Sequence, residues 1–106
     1  MKINMKALKF SAKNHLKEFL NEKVSKLERF DDKILSAEVT LTLLDVKNSA
    51  NKQCDIRLIV PGNDHIVKCT GESFEEAILK AVETLQNVLQ RKKEKSAHSD
   101  ISAITG

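Results

Sequence analysis

The side chains able to carry covalent or metal chemistry in this chain are few: His15, His65, His98, Cys54, Cys69 and the neighbouring carboxylates Glu75 and Glu76. Nucleophilic catalysis needs a nucleophile with a base in reach and a third group to orient that base. A zinc site needs closely spaced His and Cys ligands. Neither pattern occurs, because the histidines fall on a helix, a strand and the C-terminal tail. Cys54 and Cys69 lie on adjoining strand patterns and both point inward. They are expected as two small buried hydrophobes, with a disulfide or redox pair as the lesser alternative. The three glycines form no GxGxxG or P-loop pattern that would cradle a phosphate. Glu75-Glu76 opens a helix and is not a catalytic pair. No enzyme activity, metal, cofactor or small-molecule substrate is expected.

The remaining chemistry is basic charge. Residues 91–95, RKKEK, hold four bases against one acid, which equals the whole formal net charge of +3. A second set, Lys13, Lys17, Lys23, Lys26 and Arg29, stands against Glu18, Glu22 and Glu28. Bases near a helix C-terminus also offset the helix dipole, so either run alone is weak evidence of a site.

Both sets sit on amphipathic helices. From Ser73 to Lys95 the apolar residues Phe74, Ala77, Ile78, Ala81, Val82, Leu85, Val88 and Leu89 recur at gaps of three and four, one wide helical stripe. Ser73 and Glu76 form a capping box at its start. At 100° per residue, Lys80, Thr84, Asn87, Arg91 and Lys95 share one flank, and Glu76, Glu83, Gln90 and Glu94 a neighbouring strip. The other helix is expected from Ala12 to about Arg29, with Ser11 as cap and a stripe of Ala12, Leu16, Phe19, Leu20, Val24 and Leu27. Lys23 falls inside that stripe and must either snorkel out or sit where the helix overhangs its sheet.

Alternation marks four strands: residues 2–8, Ser36 to Val46, Cys54 to Val60, and His65 to Thr70. Between them lie the turns Phe30-Asp31-Asp32-Lys33 and Pro61-Gly62-Asn63-Asp64, and the polar loop 47–52. The order β-α-β-β-β-α gives an α+β fold. A right-handed crossover joins the first two strands in parallel, and both helices pack on one face of a four-stranded sheet. Thr40, Thr42, Arg57, Lys68 and Thr70 are left on the wet face. Residues 1–95 are expected as one domain and 96–106 as a disordered tail.

Length, at 106 residues, allows a single core. Four Phe with no Trp or Tyr argue against a stacking platform for single-stranded bases. No apolar run reaches the roughly 20 residues of a membrane helix, and the start lacks a secretory signal. Two cysteines without CxxC spacing fit a reducing compartment, so a cytoplasmic location is expected. Lysines on two helices over a common sheet suit structured RNA, recognised by its shape.

In this order of elements the chain resembles the ribosome hibernation-promoting factors, the family that includes the ribosome-associated inhibitor protein. LKEFLNEKVSKLERF looks like the family's first helix, and FDDKI like the turn that follows. PGNDHIVKCTGESFEEAI is similar to the hairpin into the second helix, and LQNVLQRKKEK to that helix's basic end. The likeness spans about residues 2–95. It implies a double-stranded-RNA-binding-like fold on the small ribosomal subunit, where messenger RNA and tRNA would sit, silencing idle ribosomes. Carried over by position, Lys17, Lys23, Lys26 and Arg29 match bases of the first helix. Arg91, Lys93 and Lys95 match bases at the end of the second, with Lys92 beside them. Thr84 and Asn87 depart from the pattern, standing where relatives carry Lys and Arg, on a flank bracketed by Lys80 and Arg91. Thr and Asn can still donate hydrogen bonds to RNA there. The implied protein is a short form without a dimerisation domain, a monomer away from the ribosome. The alternative is a protein-interaction module that uses the exposed sheet face, where Leu44, Ile59 and Ile66 would gather into an apolar patch.

Overall fold

The computed structural model describes residues 1–97, with side chains through Arg91. The elements are β1 (Lys2–Leu8), α1 (Asn14–Ser25), a single 3-10 turn (Lys26–Arg29), β2 (Ser36–Leu43), β3 (Lys52–Ile59), β4 (His65–Gly71) and α2 (Phe74–Ala97). The strands form one mixed sheet in sequence order, β1-β2-β3-β4. β1 pairs parallel to β2, and the other two pairings are antiparallel. The expected α+β architecture, with both helices on one sheet face, is the observed one.

Alternation sets the register. Val39 of β2 stands opposite Met5 of β1 and Ile56 of β3, and Ile56 faces Val67 of β4, so one apolar row crosses the sheet. A second row runs Ala7, Leu41, Cys54 and Cys69. Leu16, Leu20, Val24 and Leu27 descend on these rows from the first helical segment, and Ala77, Ile78, Ala81, Leu85 and Leu89 from α2; all nine are buried. α2 lies over β3 and β4 with α1 beside it and next to β1. Each helix returns from a strand of the same polarity, so the two run in the same direction.

Helix length then matters. The 24 residues of α2 extend about 36 Å at 1.5 Å per residue, while the seven of β4 cover only about 23 Å. α2 therefore outruns the sheet, and Leu89 is its last buried residue among those described.

The helix starts differ from expectation. α1 begins two residues late, at Asn14; Lys13 is its N-cap with no side-chain cap bond, and Ser11 takes no capping part. The cause lies in the preceding turn. Lys9 adopts φ 71°, a region that costs an L-residue about 1–2 kcal/mol. The turn throws Phe10 onto Phe74 at the start of α2, with ring centroids 4.1 Å apart and planes 13° from parallel. That stack, and not a local hydroxyl, fixes where the chain enters α1. The other end also departs from a uniform helix, because Lys26–Arg29 tightens into the 3-10 turn. Half of the capping box in α2 is present. The Glu76 amide donates to Ser73 Oγ at 3.0 Å, while the Glu76 carboxylate turns to Lys80 Nζ at 3.0 Å. β2 stops at Leu43, short of Val46, where Leu44 N donates to Asn51 O. α2 continues two residues past Lys95, and the remainder of the predicted tail lies outside the described residues.

Cys54 and Cys69 are directly opposed across β3 and β4, and both are free thiols, Cys54 buried. Burial first, then the neighbouring Cys69 and Asp55, push the Cys54 thiol up to about 12. The folded state thus holds a proton that the unfolded chain gives up near its ordinary value of 9.0, so the contribution to stability is full below that value and declines as pH rises from there toward 12. At neutral pH this thiol is a core group with negligible thiolate.

Two outcomes follow. Alkylation mapped by mass spectrometry at pH 8 should leave Cys54 unmodified in the native protein and modify it fully in denaturant. Gly71 is buried where β4 turns into α2, and an added Cβ would meet the Ala77 amide nitrogen at 3.0 Å and Glu76 Cβ at 3.1 Å. Gly71→Ala should therefore destabilise by about 1–3 kcal/mol, since backbone must shift to admit the methyl. A thermal melt would register that as a fall of several degrees.

Candidate nucleic-acid interface

Where the two helices run side by side, their outer surfaces leave a groove of ≈ 570 Å³ lined by Lys23, Lys26, Leu79, Val82, Glu83, Gln86 and Asn87. Its position follows from length. α1 and its 3-10 turn end partway along α2, so the last bases of the first helical segment meet the middle of α2 and not its basic end.

Lys23 behaves as its place in the apolar stripe requires. Its side chain keeps only 25% of its exposure, with Nζ 3.7 Å from Glu22 and 5.5 Å over the centre of the Phe19 ring. The stem is covered by apolar neighbours and the ammonium emerges at the groove, as a snorkelling lysine does. Lys26 and Arg29 are exposed on the 3-10 turn. Lys17 is exposed nine residues before Lys26, half a turn around α1 at 100° per residue, and so belongs to the opposite flank.

On α2 the bases divide as well. Lys80 reaches away from the groove toward the sheet edge, where its Nζ donates to Thr70 O of β4 at 3.2 Å and pairs with Glu76. Arg91 is exposed beyond Leu89. Lys92, Lys93 and Lys95 lie on the backbone of α2, with side chains outside the described residues. The structure thus brings Lys23 and Lys26 together with Asn87, and leaves Lys17 and Lys80 on the outer flanks of their helices.

Thr84 and Asn87 differ in what they can offer. The Thr84 hydroxyl already donates to Lys80 O at 2.8 Å within its own helix, so its one proton is used. Asn87 lines the groove and keeps an exposed amide. Glu83 and Gln86 also line it, which the helical wheel did not reveal. The wheel separated the strips of α2 but held no information on which strip faces α1. The half-exposed Leu79, next to buried Val82, is the residue that marks the facing side.

On the sheet's open face Leu44 stands apart from the other two residues of the expected apolar patch, while Ile59 and Ile66 are diagonal neighbours on β3 and β4. Ile59 pairs with Ser36 at one end of β2, while Leu43 pairs with Lys52 at the other, so Leu44 and Ile59 stand roughly 20 Å or more apart at ~3.3 Å per residue. Ile66 remains exposed opposite Arg57, which pairs with Asp64 at 2.7 Å. His65 is half-buried at the start of β4, His15 is exposed on α1, and His98 lies outside the described residues. Among the described residues, no three His, Cys, Asp or Glu side chains are placed to hold a metal ion, and no helix is long and apolar enough to cross a membrane.

Comparison with known proteins agrees with this architecture. A family model described as Sigma 54 modulation protein / S30EA ribosomal protein matches residues 3–97. A ribosome hibernation promotion factor from Deinococcus radiodurans is 34% identical over 77 residues, covering 72% of this chain. The chain spans 38% of that relative's length. The N-terminal domain of Protein Y from Thermus thermophilus superposes with a TM-score of 0.74 at 23% identity, covering 86% of this chain and 98% of that domain. A ribosomal subunit interface protein from Coxiella burnetii gives 0.78 at 18% identity, over 90% of this chain and all of that one. At such identities the two structures speak to fold alone, whereas the family match spans nearly the whole described chain. The chain belongs to the Sigma 54 modulation protein / S30EA ribosomal protein family, that of the ribosome hibernation promotion factors.

Proposed function

We propose that this chain is a ribosome-associated translation inhibitor that binds small-subunit ribosomal RNA and occupies the messenger-RNA and tRNA sites of idle ribosomes. One observation carries the reading: in a chain of this family, the ammonium groups of Lys23 and Lys26 open onto a groove between two helices of the same polarity. Phosphates of a folded RNA fit such a groove by charge and shape, with no need to unstack bases. Asn87 adds an amide able to donate to phosphate or exchange hydrogen bonds with a 2′-hydroxyl. Arg29 and Arg91 continue the positive surface at the two helix ends, and Lys92, Lys93 and Lys95 extend the sequence of bases along α2. A bacterial cytoplasmic location follows from such a role.

Co-sedimentation with purified small subunits should be strong at low salt and fall steeply as salt rises, with roughly 0.7–0.9 of log–log slope for each phosphate contact. A flat salt response would point to a protein partner in place of RNA. Because Lys26, Arg29 and Arg91 are exposed, reversing all three to Glu should leave the thermal midpoint nearly unchanged. The same variant should weaken subunit binding by more than tenfold, reduce the slope by about 2–3 and abolish inhibition in a cell-free translation assay. Intact inhibition by that variant would overturn the assignment.

A further inference from the structure

We infer that Glu83 sets the strength of RNA binding by placing a negative charge inside the basic groove, an inference that rests on the RNA-binding reading above. The charged lining consists of Lys23, Lys26 and Glu83, so Glu83 is the one carboxylate of the lining itself, while Glu22 stands outside it, 3.7 Å from Lys23. Nothing in the fold requires it there. Glu83 is exposed, and among the described residues its carboxylate makes no ion pair within 4.0 Å. Lys80, three residues earlier and its nearest helical cation, turns instead to Glu76 and to Thr70 O. Lys23 is met by Glu22 and Phe19. Glu83 therefore stands where an incoming phosphate backbone is drawn by Lys23 and Lys26, and repels it.

Coulomb's law gives the size. A carboxylate roughly 6 Å from a phosphate in a water-like dielectric weakens binding about threefold, and more where the groove excludes water. The repulsion is screened as the Debye length shrinks from about 10 Å at 0.1 M salt to about 3 Å at 1 M. Attraction by the lysines and repulsion by Glu83 thus act at one place.

Glu83→Gln keeps the side chain's shape and removes its charge. Binding of the full chain to purified small subunits would be measured at about 0.05 M and about 0.3 M salt, with a thermal melt of each protein. The expected result is a threefold to tenfold tighter Kd for Glu83→Gln at the lower salt, a gap that narrows at the higher salt, and an unchanged melt. Equal or weaker binding by Glu83→Gln, with the wild-type chain binding well, would overturn this inference alone. Weaker binding would mark Glu83 as an acceptor for RNA hydroxyl groups. A gap that persists undiminished at the higher salt would overturn it too, because the effect would not be electrostatic. Failure of the wild-type chain to bind at either salt would remove the RNA-binding reading and this inference with it.

Discussion

The apolar face of a four-stranded sheet has to be covered, and one helix is too narrow to cover it. Four strands about 4.8 Å apart present a surface roughly 15–20 Å wide, against an α-helix about 10 Å across. Two helices must lie side by side, and the connection between parallel β1 and β2 supplies one of them. Val24, Leu27, Ile78 and Leu85 are essentially inaccessible beneath the pair. Side-by-side packing of two cylinders leaves a furrow along their outer surface. The groove holding Lys23 and Lys26 is therefore a by-product of closing the core, and charge is what makes it a binding surface.

The same constraint explains which bases act together. Same-direction helices of unequal length, 12 residues before the 3-10 turn against 24, place the last turn of α1 beside the middle of α2. Lys80 sits on the sheet-edge side, where it covers the open backbone of β4 by donating to Thr70 O. Such a charge blunts an edge strand that would otherwise invite pairing. One lysine on α2 thus serves the sheet, whereas the groove draws its bases from the other helix.

Much of this was legible in the chain. Period-2 alternation fixed all four strands and the inward direction of Cys54 and Cys69. The three- and four-residue gaps from Phe74 to Leu89 fixed α2 and its buried stripe, and Lys23's position within the other stripe foretold its covered stem. Failures came where distant residues decide. Ser11 looked like a cap because local chemistry favours it, but the Phe10–Phe74 stack, made across 64 positions of sequence, sets the entry to α1. The facing strip of α2 was illegible for a related reason. An amphipathic pattern tells a helix where its core is, and leaves open which polar border meets its neighbour.

That last gap separates what folds this protein from what the groove binds. Leu79 and Val82 on α2 bring the facing border against the first helix, yet the polar groups beside them contribute little to stability. Exposed pairs such as Glu76–Lys80 are worth a few tenths of a kcal/mol, while each buried leucine is worth about 2–5 kcal/mol on truncation to alanine. Charges around the groove can therefore change sign without the fold giving way. Binding strength is set by a handful of exposed ammonium, amide and carboxylate groups, on a scaffold whose stability is decided beneath them. Thr84 illustrates the division: its hydroxyl is committed to Lys80 O inside the helix, so it belongs to the scaffold, while Asn87 three residues on lines the groove with an exposed side chain.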